Sequence, residues 1–141
     1  RLALACYGVL AIALVLFTFR TWLILSPLMS DQVPGKFIRQ TATPQDLVVM
    51  EQIEEFEYGA SLEFYSGRRI LMVKRHGLPR FAYPVPPGKD YLITPEQLGA
   101  LWRGPRRVFL LVDDVTPLEP FLKDARVLLN LPSKRLLSNR P

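Results

Sequence analysis

The chain has 141 residues, 49% of them hydrophobic, and carries a formal net charge of +5 with one histidine and one cysteine. This length allows about one domain, and the start at Arg1 leads us to expect a piece of a longer protein. Because Cys6 lies in an apolar segment and His76 is alone, the composition excludes a disulfide-stapled fold, a cysteine-based zinc site and a histidine-rich metal cluster.

The first predicted element is a transmembrane helix over residues 1–26. Residues 2–19 carry no formal charge, and the apolar character resumes after Arg20. As a helix, Leu2–Leu25 would measure about 36 Å, enough to cross a hydrocarbon core of about 30 Å. Arg20 lies near one end, where it can reach the headgroups, and Pro27 is expected to stop the helix. The segment is too long for a signal-peptide core, and too few residues follow to bury it as a core helix.

A linker is predicted over residues 27–44, and a small soluble domain over residues 45–141. The stretch from Ser26 to Pro44 holds three prolines, one glycine and several small polar residues, which is typical of a connection leading away from a bilayer.

Three short apolar runs in the domain predict buried strands, at residues 47–50, 70–73 and 108–112. The runs are continuous and do not alternate, which indicates a sheet covered on both faces. Helices between the strands would supply that cover. The predicted fold is therefore a small three-layer α/β domain with a mostly parallel or mixed central sheet.

Two helices are predicted between these strands. The first follows the apolar stripe Ile53, Phe56, Ala60 and Phe64, begins among glutamates and ends at Gly67. Phe64 and the adjacent Tyr65 are thus expected in or near the core.

The second helix has a sharper start. Thr94 can cap it, Pro95 suits its first position, and Gln97 completes a capping box. Gly104 and Pro105 would end it, and its buried face would consist of Leu98, Leu101 and Trp102.

The remaining segments are predicted to contain less regular secondary structure. A long loop with an edge strand at residues 81–83 would precede a short strand at 91–93. Thr116, Pro117 and Glu119 repeat the capping pattern, but Pro120 predicts a short or distorted helix. After it, residues 126–131 and 135–138 form either a hairpin or an extension of that helix.

The candidate site residues are two arginine pairs, Arg68 with Arg69 and Arg106 with Arg107. Each pair directly precedes a predicted buried strand, so parallel strands would bring both pairs to one edge of the sheet. The hypothesis is a basic rim that faces lipid headgroups or a lipid-linked phosphate. Ordinary solvation of strand starts is the alternative. Because the basic residues lack a recognition-helix or RNA-binding motif, nucleic acid is not expected as a partner.

The sequence predicts no catalytic residue, no metal site and no cofactor. Asp113 and Asp114 follow a strand, but adjacent strand residues point in opposite directions, so a turn is the better interpretation. His76 before Gly77 is interpreted as a loop residue. There is no Ser-His-Asp set, no Walker-type glycine loop and no zinc spacing.

Residues 44–73 resemble the C-terminal extracytoplasmic domain of bacterial membrane glycosyltransferases of the dolichyl-phosphate-mannose protein mannosyltransferase type, which includes the lipid A aminoarabinose transferases. Tails of this family show a last membrane helix, a Ser-Pro linker, a D-x-V-V strand, an S-x-x-F-Y-x-G-R-R segment and a closing L-L-S-N strand. The matching residues here are Ser26-Pro27, Asp46 with Val48-Val49, Ser61, Phe64, Tyr65, Gly67, Arg68, Arg69 and Leu136 to Asn139.

The resemblance implies a many-helix enzyme that moves a sugar from a polyprenyl-phosphate donor to a lipid or protein acceptor. Its catalytic carboxylate would lie in an early external loop that this chain does not contain. The expected partners are the bilayer, the other membrane helices of the enzyme and a polyprenyl-phosphate-linked sugar. The expected location is the bacterial inner membrane, with the domain on the extracytoplasmic side.

Two points leave alternatives open. Arg20, Lys36 and Arg39 flank the span on the domain side against only Arg1 on the other, and by the positive-inside rule this distribution favours the opposite orientation. The chain could also be a single-pass, membrane-anchored α/β interaction module without enzymatic activity.

Overall fold

A computed structural model describes residues 2–51, 59–73, 91–113 and 119–141, and for residues 2–6, 27–29, 59 and 60 it describes the backbone alone. Its helices are α1 (Leu2–Met29), α2 (Gln32–Thr41), α3 (Gly59–Ser66), α4 (Pro95–Arg103) and a 3₁₀ helix (Pro120–Leu122). Its strands are β1 (Leu47–Glu51), β2 (Ile70–Val73), β3 (Leu92–Ile93), β4 (Val108–Asp113), β5 (Arg126–Asn130) and β6 (Lys134–Ser138).

Helix α1 is long and apolar enough to cross a membrane. Its Tyr7–Ser26 window is not buried at all against the rest of the described chain, so it is not a core helix of this domain. The prediction that Pro27 stops the helix is wrong, since α1 continues to Met29. A proline removes one backbone hydrogen bond from a helix, and here only two helical residues follow it, so the loss costs little.

The segment predicted as a linker contains helix α2. Pro34 lies in the first turn of α2, where a backbone N–H needs no partner within the helix. Gly35 lets α2 approach α3 closely, because a Cβ at this position would lie 2.5 Å from the Cβ of Tyr65. Ile38 is fully buried. The proline and glycine that suggested a loop therefore serve helix packing.

The six strands form one mixed sheet in the order β3-β2-β1-β4-β6-β5, which confirms the α/β prediction. Strands β1, β2, β3 and β4 are parallel, and β6 runs antiparallel to β4. Strands β5 and β6 form an antiparallel hairpin with an irregularity between Val127 and Leu129. The hairpin alternative is thus confirmed, and the helical extension is wrong.

Each face of the sheet carries its own hydrophobic core. One core lies under α4 and contains Val49, Leu98, Trp102, Val108 and Leu110. The other lies under α2 and α3 and contains Ile38, Val48, Leu62, Ile70 and Phe109. Neighbouring strand residues alternate between the two cores, as a sheet covered on both faces requires.

Two local predictions are confirmed and one is wrong. Thr94 and Gln97 form the predicted capping box of α4. Gly67 ends α3 with a positive φ of 63°, which glycine adopts without steric cost. Phe64 is not in the core, because its side chain is 78% exposed. Leu62, two residues earlier and so on the opposite side of α3, is the buried residue.

Several predictions fall outside the described residues. These concern the edge strand at 81–83, the stripe residues Ile53 and Phe56, His76, Asp114 and the cap at Thr116. The short strand predicted at 91–93 is present as β3, and the 3₁₀ helix agrees with the short helix predicted around Pro120.

Candidate functional site: the two edges of the sheet

Because the strands are parallel, the two edges of the sheet that are formed by the ends of its strands differ. The carboxyl ends of β1, β2 and β4 meet at one edge, which we call the carboxyl edge. The starts of the same strands meet at the opposite edge, which we call the amino edge. Helix α2 packs on α3 and carries the chain from the carboxyl edge to the amino edge, where β1 begins.

The end of α1 is fastened to the carboxyl edge by a buried ion pair. Asp31 lies two residues after the end of α1, and its Oδ1 lies 2.5 Å from Nζ of Lys134. Lys134 begins β6 and is in register with Asp113, the last residue of β4. The side chains of Lys134 and Asp31 are only 7% and 0% exposed, respectively. The contact therefore joins the foot of the apolar helix to the β5–β6 hairpin, 103 residues away.

Burial dominates the electrostatics of Asp31. Removal from water raises the pKa of its carboxyl group, and the hydrogen bond and positive charge of Lys134 lower it by less. Within the described part of the chain, Oδ2 of Asp31 has no hydrogen-bond partner. Asp31 also occupies the N-cap position of α2, but its side chain makes no capping bond there. Its backbone N–H donates to Oγ of Ser61 on α3, at 3.3 Å.

All four predicted arginines lie at the amino edge, beside the start of β1. Strand alternation sends the two members of each pair to opposite faces. Arg68 and Arg107 precede Ile70 and Phe109 by two residues and so share the face of α2 and α3. Arg69 and Arg106 precede Leu71 and Val108 by two residues and so share the face of α4.

The two arginines on the α2–α3 face are engaged with the protein itself. The Nη2 of Arg68 donates to the carbonyl oxygen of Ala42, at 2.9 Å. The guanidinium of Arg107 lies over the ring of Phe109, 4.4 Å from its centroid, in a cation–π contact. These contacts give both arginines a structural role.

The arginines on the α4 face lie beside an open groove. Arg106 contributes to the groove lining, and its Nε donates to the carbonyl oxygen of Gln45 at 2.7 Å. Arg69 is exposed and lies two residues before Leu71, another lining residue. The groove has a volume of about 520 Å³ and is also lined by Ile93, Gln97, Ala100 and Leu101.

The C-terminal residues close the amino edge. Asn139 accepts a hydrogen bond from the N–H of Val108 at 2.8 Å and donates to the carbonyls of Trp102 and Arg106, at 2.8 and 3.1 Å. Arg140 donates from Nη2 to the carbonyl of Gly104, at 2.9 Å. Sequence reasoning noticed this segment only as a closing strand. The structure shows that it holds the turn between α4 and β4.

Neither edge assembles a recognisable catalytic set in the described residues. No group of three or more His, Cys, Asp or Glu side chains there is placed to hold a metal ion. The phosphate-facing role of Arg68, Arg69, Arg106 and Arg107 stays a prediction.

No protein-family model matches the chain, and no curated protein matches it. Its fold is similar to crystal structures of ArnT from Cupriavidus metallidurans, one bound to undecaprenyl phosphate and one in the apo state, with TM-scores of 0.56 and 0.57. The sequence identities are 16% and 13%, and each match covers 78% of this chain and 20% of the ArnT chain. The chain therefore corresponds to about a fifth of the length of ArnT, and at these identities the match shows a shared fold.

Proposed function

We propose that this chain is the terminal membrane helix and capping domain of a membrane glycosyltransferase that uses a polyprenyl-phosphate sugar donor. The observation that carries the proposal is the fold similarity to ArnT, an aminoarabinose transferase that has been crystallised with undecaprenyl phosphate. The segment from Ser61 to Arg69 adds support through its S-x-x-F-Y-x-G-R-R pattern. The sugar would pass to a lipid or protein acceptor, and the catalytic segment would lie outside this chain.

In this proposal α1 crosses the bacterial inner membrane and the domain lies on its extracytoplasmic side. The 20 residues of Tyr7–Ser26 would span about 30 Å, the thickness of the hydrocarbon core. Leaving this apolar surface in water would oppose the hydrophobic effect, and lipid or neighbouring helices would remove that cost. Because α2 packs on α3, the domain would include residues 31–141, and no flexible linker would separate it from α1.

The domain would brace the membrane part of the enzyme through its carboxyl edge. The Asp31–Lys134 pair fixes that edge to the foot of α1. The amino edge is farther away by the length of α2, about 15 Å for ten residues. This distance exceeds the Debye length of about 8 Å at physiological salt, so the amino-edge arginines would be screened from the headgroups around α1. A phosphate that reaches them would be presented away from that surface.

The test is a transfer assay on the protein encoded by the complete reading frame. Membranes containing it would receive radiolabelled sugars linked to undecaprenyl phosphate. We expect transfer of label to an acceptor together with release of undecaprenyl phosphate. Lys134→Met should reduce transfer by loosening the brace, whereas Lys123→Met, at an exposed lysine of the same domain, should not.

The opposite result would be the absence of release with every donor tried. A reading frame that begins just before Arg1 would also overturn the proposal, and it would support the membrane-anchored interaction module.

A further inference from the structure

The groove on the α4 face has a regular construction. Gln97, Ala100 and Leu101 of α4 recur at i, i+3 and i+4 and so form one flank of the helix, and the C-cap residue Gly104 continues this flank at i+7. These positions extend over about 10 Å of helix. Leu71 of β2 and Ile93 of β3 form the opposite wall. The wall is short because β3, the outermost strand of the sheet on this side, has only two residues.

Positive charge is concentrated at one end of this groove. The hydrogen bond from Nε of Arg106 to Gln45 holds the guanidinium in place at the amino edge, on an exposed side chain. Arg69 directly precedes β2, and continuing the register of β2 by one residue places it on the same face and level with Val108 of β4. Because β1 lies between β2 and β4, the backbones of Arg69 and Val108 are about 10 Å apart, and Arg106 lies two residues before Val108. Guanidinium groups bind phosphate with two parallel hydrogen bonds, a geometry that an ammonium group cannot supply.

The size of the groove favours a small ligand over a protein partner. A volume of about 520 Å³ lies within the range of about 300–1,000 Å³ that is typical of small-molecule pockets. A stable protein interface needs about 800 Å² from each partner, which a groove about 10 Å long does not offer. A mainly apolar lining with few polar side chains, here Gln97 and Arg106, is also typical of ligand sites.

We propose that this groove binds a single-chain amphiphile with a phosphate head. The alkyl chain of the ligand lies between Leu71 and Leu101, and its phosphate is bound by Arg106. Arg69 adds a second positive charge. Arg103 takes no part, since its guanidinium lies near Gly99 on the other flank of α4. The proposal is argued from the groove itself and does not depend on the proposed function.

Titration calorimetry tests this proposal on the full chain in nanodiscs of zwitterionic lipid. Octyl phosphate is the probe, inorganic phosphate and octanol test its two halves, and empty nanodiscs correct for partitioning. We expect saturable binding of octyl phosphate and binding of each half at least about tenfold weaker, because charged hydrogen bonds and apolar burial both contribute. Inorganic phosphate binding equally well would indicate a simple anion site and would overturn the proposal, as would equal binding of octanol.

Variants at exposed positions locate the binding. Arg106→Gln should weaken octyl phosphate binding by about tenfold or more, and Ala100→Glu should abolish it by placing a carboxylate in the groove. Arg103→Gln removes the same charge from the other flank and should bind like the parent chain. Circular dichroism should show the same fold for all three. Unchanged binding by Arg106→Gln, or equal weakening by Arg103→Gln, would refute the site.

Discussion

The two edges of the sheet use charged residues in opposite ways. At the carboxyl edge Asp31, Glu51 and Lys134 are all buried, and the Asp31–Lys134 pair ties α1 to the hairpin. At the amino edge Arg69 and Arg106 are exposed to solvent. One small domain thus buries charge where a specific junction is needed and exposes charge where it remains available to a partner.

A buried ion pair is a means of fixing geometry more than a source of stability. The cost of removing both charges from water offsets much of their attraction, but loss of one partner leaves the other charge buried alone. We therefore interpret the Asp31–Lys134 pair as an orienting contact between α1 and the domain.

The largest expected effect comes from breaking this pair. Lys134→Met should lower the free energy of unfolding by about 3–5 kcal/mol, because it leaves the carboxylate of Asp31 buried without its countercharge. Chemical denaturation of the chain in detergent would measure it.

A double-mutant cycle provides the control for this prediction. Asp31→Asn combined with Lys134→Met should recover part of the loss, since the remaining groups are neutral. Strictly additive losses would mean that the two charges are not coupled.

The next effect tests the packing of α2 on α3, since α2 connects the two edges. Gly35→Ala should destabilise the protein by about 1–2 kcal/mol, because the added Cβ would meet the Cβ of Tyr65 and the backbone of Ser66, and the gain in helix propensity offsets only part of this strain. Gly99→Ala in α4 is the matched control. Its Cβ would make an ordinary contact of 3.4 Å with Phe121, so this change should be neutral or stabilising. Thermal denaturation should separate the two variants, and equal midpoints would contradict the close α2–α3 contact.

A loss of similar size is expected at the amino edge, where the surface is solvated. Asn139→Ala should cost about 1–2 kcal/mol, because the buried N–H of Val108 loses its acceptor. Asn130→Ala, at an exposed asparagine of β5, should change stability by less than about 0.5 kcal/mol. If urea unfolding gave similar values for both, the C-terminal residues would not hold the turn between α4 and β4.

The pH dependence of stability sharpens the contrast between the edges. Because burial raises the pKa of Asp31, the folded state binds its proton more tightly than the unfolded state does. The contribution of Asp31 to the free energy of unfolding should therefore fall as pH rises from the ordinary aspartate pKa of 3.8 through the higher pKa of the folded state. Denaturation curves at several pH values should show this slope in the parent chain and lose it in Asp31→Asn. The same slope in both proteins would exclude Asp31 as its source.

Local signals in the sequence predicted the sheet and the helix ends well. Continuous apolar runs predicted β1, β2 and β4, and the Thr94–Gln97 capping box needs only residues three apart. The arginine pairs were correctly expected at one edge, because that placement follows from parallel strands alone. The split of each pair between two faces also follows from strand alternation.

Features that depend on distant contacts were missed. Asp31 has the local appearance of a helix cap, and nothing near it indicates a lysine 103 residues later. The first turn of α2 contains a proline and a glycine, so local propensity predicted a linker where packing against α3 stabilises a helix. Phe64 was placed in the core because the stripe was continued from residues before Gly59, and the described helix α3 buries Leu62 on its other side.

In the proposed function α1 lies in lipid and the carboxyl edge faces the membrane, and a measurement of depth in the bilayer tests both most directly. Fluorescent labels on single cysteines at Leu16, Ser133 and Gln40, in a Cys6→Ala background, would report depth through quenching by spin-labelled lipids. We predict strong quenching at Leu16 in α1, weaker quenching at Ser133 in the β5–β6 turn and the least at Gln40, about 15 Å farther away at the end of α2. Equal quenching at Ser133 and Gln40, or a chain that stays in the aqueous fraction without detergent, would rule out this placement in the membrane.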